Sequence, residues 1–177
     1  MNKPTDIEKF ALALADVLPE VDSELIQNAC DNISEYLQPH YNLLSCLRRG
    51  IIYHHGSVPD VIRIYIEDLY KKEDAVKYVI TSSTLLSGVN LPAERMFILD
   101  NKRGKSNLSH DSFKNLVGRV CRFSEIFNDE TGKLHRLEPQ IYLVFGNFFA
   151  QNANCESFLR KVAKVGQNYK DTVDNVL

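Results

Sequence analysis

Cysteine is sparse and scattered in this sequence. The four residues, Cys30, Cys46, Cys121 and Cys155, form no Cys-x-x-Cys pair and have no histidine at metal-ligand spacing. That pattern argues against a zinc site or a disulfide framework, so no metal ligand set is assigned and the thiols are read as reduced. Long apolar runs are missing too, and Met1 is followed by Asn-Lys-Pro-Thr-Asp rather than a basic and then apolar leader. Neither a signal peptide nor a spanning helix is expected, and a cytoplasmic protein with no membrane partner is the expectation that fits best. A dominant charge of one sign is also lacking, since 21 Lys and Arg face 23 Asp and Glu for a formal charge of -2. Whole-chain charge therefore gives no sign of a polyanionic partner. No internal repeat or low-complexity tract occurs.

What is present is ordinary globular composition: 177 residues, 44% hydrophobic and 25% charged. This suits one domain with a full core. The pattern divides it into a helical N-terminal part (1–40), an α/β core (41–150) and a helical tail (151–177).

Thr5-Asp6-Ile7-Glu8 opens a first helix, with Ile7, Phe10, Ala11, Leu14 and Val17 at helical spacing before Pro19. A second starts near Asp22-Ser23 and aligns Leu25, Ala29, Ile33 and Leu37 before Pro39. A third, Tyr41 to Arg49, stops at Gly50, a residue suited to a left-handed terminus. After Gly50 the period shortens. Strands are predicted at Ile51 to Tyr53, Val76 to Thr81, Arg95 to Leu99 and Ile141 to Phe145. Helices are predicted through Ile62, Ile66 and Leu69, over Ser109 to Arg122, and from Cys155 onward, while 124–138 reads as a polar connection. Short apolar strands alternating with helices imply a parallel sheet covered on both faces, whose ligands bind at the carboxyl ends of its strands.

Two stretches carry chemistry. In Thr81-Ser82-Ser83-Thr84-Leu85-Leu86-Ser87-Gly88-Val89-Asn90-Leu91-Pro92-Ala93, hydroxyls and backbone amides follow a strand and can donate to phosphate oxygens without reading bases. Gly88 permits close backbone approach, and Asn90 can orient a ligand hydroxyl or a water. Simple turn chemistry would explain the same composition. In Asn115-Leu116-Val117-Gly118-Arg119-Val120-Cys121-Arg122, the two arginines lie three apart on one predicted helix face and can converge on one anion. Gly118 inside that helix suggests a close backbone contact. Six Lys or Arg (Lys102, Arg103, Lys105, Lys114, Arg119, Arg122) against the single acid Asp111 make 102–122 locally basic. A solvated basic face would look the same. His54 and His55 invite a metal or acid–base reading, but adjacent strand residues point to opposite faces, so packing at the strand end is favoured. Tyr53, Tyr65, Tyr70 and Phe113 are read as core or interface rather than base-stacking platforms.

In this order, the two stretches resemble motifs V and VI of superfamily 2 helicases, especially the DExH branch. Motif V there reads Thr-Leu-x-x-Gly-Val-Asn-Leu-Pro-Ala, and motif VI reads Gln-x-x-Gly-Arg-x-Gly-Arg. Upstream, Gly50-Ile51-Ile52-Tyr53-His54-His55-Gly56-Ser57-Val58-Pro59 with Arg63 is similar to that branch's Gly-Ile-x-x-His-His-x-x-Leu-Pro-x-x-x-Arg. The resemblance covers roughly 43 to 145. It implies a C-terminal, second RecA-like domain: an α/β parallel sheet with helices on both faces. No opening strand is visible before Thr5, so the sheet is expected to lack its first strand. It further implies that Arg122 is an arginine finger for the ATP γ-phosphate with Arg119 assisting. Gly88, Asn90 and Gly118 would line the nucleotide side. Ser82, Ser83 and Thr84, with Lys102, Arg103 and Lys105, would face the backbone of DNA or RNA. Asn115 in place of Gln and Val120-Cys121 in place of Ala-Gly or Thr-Gly depart from the family pattern and bear on ATP coupling.

The phosphate-binding half of such a motor is absent. The single Gly-Lys-Ser, Gly104-Lys105-Ser106, has Leu99 where a P-loop needs its first glycine, and no Asp-Glu-x-Asp/His box occurs. ATP and Mg2+ would be bound mainly by a first RecA-like domain, the expected partner, and this chain alone is expected not to turn over ATP. The alternatives are a stand-alone nucleic-acid-binding module and a degenerate RecA-like domain without an ATP role.

Overall fold

The structure is a computed structural model that describes residues 3–82, 93–103, 106–117, 140–149 and 154–163. Its contacts group into two compact units, Met1–Ala93 with Lys102–Lys105, and Glu94–Asn101 with Ser106–Leu177.

In the first unit three helices precede a parallel strand pair. Helix α1 (Pro4–Val17) starts with proline, whose missing N–H costs nothing in a first turn. Its buried face is Ile7, Ala11 and Ala15, with Val17 exposed. Ile7 and Ala11 lie there as the spacing predicts, whereas Ala15 joins them in place of the expected Phe10, Leu14 and Val17, because small residues let the helix approach α3 and β1 closely; Phe10 and Leu14 are left on its flanks. At its far end Arg49 Nη1 donates to Leu18 O at 2.5 Å and to Ala15 O at 2.7 Å, the latter carbonyl also accepting from Leu18 N at 3.3 Å, so the side chain adds to the pairing of the helix end.

Helix α2 (Glu24–Tyr36) is capped by Ser23, whose Oγ accepts from Ile26 N at 3.3 Å. It buries Ile26, Ala29, Cys30 and Ile33, while Leu25 is turned to solvent, so the buried stripe lies one residue away from the expected start. Helix α3 (Asn42–Leu47) gives way to a turn that closes at Gly50, which has a φ of +69° and leads directly into β1 (Ile51–His54). All four residues of β1 are buried, with Tyr53 fully enclosed. Helix α4 (Asp60–Lys72) follows and buries the expected Ile62, Ile66 and Leu69.

Strand β2 (Tyr78–Thr81) pairs parallel with β1 in the register Ile51↔Tyr78 to His54↔Thr81. It starts two residues later than Val76 because Val76 N closes a turn onto Glu73 O at 3.0 Å. A helical crossover between parallel neighbours is the βαβ unit that the alternating pattern predicts. Lys102–Arg103 forms a two-residue strand, β4, where the sequence suggests an irregular basic loop.

The second unit contains β3 (Arg95–Ile98) and β6 (Gln140–Leu143), parallel in the register Arg95↔Gln140 to Ile98↔Leu143. Between them in sequence lie β5 (Ser106–Asn107) and α5 (His110–Val117). Ser109 Oγ caps α5, accepting from Ser112 N at 3.2 Å. The last described helix is α6 (Cys155–Ala163), capped by Asn154 Oδ1 accepting from Ser157 N at 3.1 Å. Phe113 of α5 meets Phe158 of α6 edge to face, with ring centroids 6.2 Å apart. Among the described residues no helix is long and apolar enough to cross a membrane. The fold is mixed α/β, built from parallel strand pairs and helices.

Candidate nucleic-acid interface

The carboxyl ends of β1 and β2 are the strand ends to which the motif-like stretches of the first unit lead. Register pairing sets His54 beside Thr81, so the histidine pair and the start of the hydroxyl-rich stretch reach the same end of one sheet. That juxtaposition follows from strand geometry, since a parallel crossover returns the chain in the same direction.

His54 and His55 diverge as adjacent strand residues must. The His54 ring lies near α4, with Nε2 4.0 Å from Glu67 Oε1, and neither ring nitrogen makes a hydrogen bond among the described residues. Burial, reinforced by the nearby Arg63 guanidinium and by His55, lowers its pKa from 6.5 to about 4, so the ring is neutral at pH 7. Arg63 itself is held between Asp60 Oδ1 at 3.0 Å and Glu67 Oε1 at 3.9 Å. Its charge is therefore already partly matched by two carboxylates, which tempers any pull on an anion.

His55 turns toward α1. Its Nε2 lies 3.0 Å from Glu8 Oε1, off the direction of an ideal hydrogen bond, and its Nδ1 accepts from Ser57 N at 3.3 Å. Its ring stacks on Tyr53, with centroids 5.5 Å apart and planes 8° from parallel. Burial pushes the Tyr53 phenol far above its usual range, with Tyr41 and Glu8 adding to the effect. Tyr53 is thus a core residue, as expected, and Tyr65 accepts from Asn32 Nδ2 at 3.0 Å across α2 and α4. The sequence pointed to packing at the strand end for the two histidines. It gave no sign of Glu8, whose approach depends on how α1 lies against β1.

Of the residues expected to touch nucleic acid, Ser82 is described and buried, immediately after the exposed Thr81. Lys102 and Arg103 lie in β4, within the same unit as the strand tips. Ser83, Thr84 and Lys105 lie outside the described residues, as do Gly88, Asn90, Gly118, Arg119 and Arg122. Helix α5 is described as far as Val117, the residue before the Gly-Arg pair.

Cys30 and Cys46 are buried free thiols. Burial pushes Cys46 up to about 12, which removes it as a nucleophile at neutral pH. Among the described residues no three His, Cys, Asp or Glu side chains gather as metal ligands.

Comparison with known proteins finds relatives that include several helicases. The chain is 34% identical over 144 residues to DNA polymerase theta of Caenorhabditis elegans, covering 74% of this chain and 9% of that protein. It is 36% identical over 97 residues to Helicase POLQ-like of Drosophila melanogaster, covering 55% of this chain and 9% of the relative. Against ATP-dependent DNA helicase Hel308 of Aeropyrum pernix it is 34% identical over 84 residues, 45% of this chain and 11% of that protein. The chain thus spans about a tenth of the length of these relatives. No family model matches it. Over part of its length the chain is thus similar to helicases.

Proposed function

We propose that this chain is the second RecA-like motor domain of an ATP-dependent nucleic-acid helicase. The observation that carries the reading is the likeness to helicases along a chain whose three motif-like stretches stand in helicase order. The parallel pairing of β1 and β2 supports it, because it sets the His-His segment and the start of the hydroxyl-rich stretch at one end of a sheet, where α/β folds hold ligands.

In this reading Ser83 and Thr84, with Lys102, Arg103 and Lys105, grip the backbone of DNA or RNA, and Ser82, expected beside them but buried, lies behind that contact. Contacts of that kind position a strand without reading its sequence. Gly88, Asn90 and Gly118 border the nucleotide, and Arg119 and Arg122 meet its terminal phosphate. Two guanidiniums three apart on a helix suit that anion, since each can donate in a planar fork and neither loses its charge. The chain has neither a P-loop nor an Asp-Glu box, so Mg2+ and most of the ATP belong to a first RecA-like domain. Bound there, ATP supplies the phosphoryl group whose developing charge the arginines stabilise. Closure of the two domains would couple nucleotide state to strand grip.

The test is Arg122→Ala in a protein carrying both motor domains. ATPase turnover should fall about a thousandfold, the effect of losing an arginine finger. Turnover at the unmodified rate rejects the assignment.

A further inference from the structure

The contact between α1 and the end of β1 has a chemical direction that the motif reading does not use. His55 is 2% exposed, and each of its ring nitrogens faces a different group. The Ser57 N–H donates to Nδ1 at 3.3 Å, so Nδ1 carries no proton and the ring proton resides on Nε2. Nε2 in turn faces Glu8 Oε1 at 3.0 Å. Glu8 is itself held from its other oxygen, since Asn42 Nδ2 at the start of α3 donates to Oε2 at 3.2 Å. The turn is also closed from the backbone side, where Val58 N donates to His55 O at 3.1 Å.

We propose that Glu8 and His55 form a positioning pair: Glu8 on α1 holds the His55 ring in its Nε2–H tautomer, and that ring holds the turn that leads from β1 into α4. The tautomer is decisive. With the proton on Nδ1, the Ser57 N–H would meet another donor, and Gly56 and Ser57 would lose the side-chain link that fixes them at the strand end. A carboxylate beside Nε2 favours the productive form electrostatically even without ideal alignment. The N-terminal helix, which carries none of the motif-like stretches, thereby fixes the edge on which the proposed nucleic-acid contact rests. The inference deepens that reading, but its first readout does not depend on it.

The test uses the whole chain labelled with 15N. In the unmodified protein at pH 7 the His55 ring should show the Nε2–H tautomer. Glu8→Ala should lose that preference and let the Ser57 amide exchange about tenfold faster, the effect of one lost hydrogen bond. Glu8→Gln, which keeps the shape but not the charge, should behave like Glu8→Ala in the tautomer readout, because the preference is electrostatic. An Nδ1–H tautomer in the unmodified protein overturns the pair, and so does unchanged Ser57 exchange in a folded Glu8→Ala. Single-strand affinity measured on the same variants separates the two readings. If the unmodified chain and a protein with both motor domains bind no strand, the helicase proposal fails while the tautomer result stands.

Discussion

Gly50 lies against the Ala75 carbonyl so closely that a Cβ at position 50 would overlap its oxygen. Its own carbonyl accepts from Lys77 N at 2.9 Å and Tyr78 N at 3.1 Å, so one residue ends the helical region and seeds the pairing of β1 with β2. With φ at +69°, the position favours glycine by conformation as well as by space. Gly50→Ala should therefore destabilise the chain by more than about 2 kcal/mol, since a left-handed penalty and a backbone clash add. Urea unfolding would measure it, and a midpoint unchanged from the parent would remove Gly50 from this role.

Acid should weaken the fold through His54. Its folded pKa is about 4 against 6.5 when free, so on acidification the unfolded chain takes up the proton first. The neutral ring's contribution is complete above pH 6.5 and is lost as pH falls toward 4, amounting to up to about 3 kcal/mol. Stability measured across that window should drop in the parent and drop less in His54→Gln. Parallel pH profiles for the two proteins would contradict the assignment.

Arg49 ties the end of α1 to the start of the sheet by two donated hydrogen bonds from one nitrogen. Removing them takes the donor from the Leu18 carbonyl and leaves the Ala15 carbonyl with Leu18 N alone, so Arg49→Ala should cost about 1–2 kcal/mol. Arg49→Lys should recover part of that, because an ammonium can still reach the carbonyls. Thermal unfolding of the three proteins gives the ranking directly.

The elements at which sequence and structure agree are those where local chemistry decides. Ser23 and Ser109 mark helix starts by their own hydrogen bonds, and the structure caps a helix at each, whereas α1 opens at Pro4 rather than at the expected Thr5, and Gly50 stands at the entry to β1, three residues beyond the end of α3. Faces were less legible. On α1, Phe10 and Leu14 satisfy helical spacing as well as Ile7 does, and only the close approach to α3 and β1 selects Ala11 and Ala15 as the inner face. Leu25 stands exposed while Ile26, its neighbour, is buried, a difference that depends on how α2 is rotated. The same holds at the strand end. Alternation along β1 foretells that His54 and His55 part, but the carboxylates they face, Glu67 on the next helix and Glu8 on the distant α1, depend on how those helices pack. Arg119, Arg122 and most of the hydroxyl-rich stretch lie outside the described residues, so their roles rest on motif order and on likeness to helicases.

The strand-gripping proposal makes a prediction about ions. Each phosphate neutralised by a Lys or Arg releases counterions, so affinity for a single strand should fall with salt at a slope of about 0.7 per contact. Lys102, Arg103 and Lys105 stand together in a chain whose net charge is -2, so any salt dependence must come from a local patch rather than from the whole molecule. Replacing all three by alanine should lower the slope by about 2 and weaken binding alike for strands of different sequence, because phosphate contacts carry no base information. A slope that stays the same would place the contact elsewhere. A loss confined to one base sequence would mean that these side chains read base edges, which sinks the backbone-grip reading of the basic run.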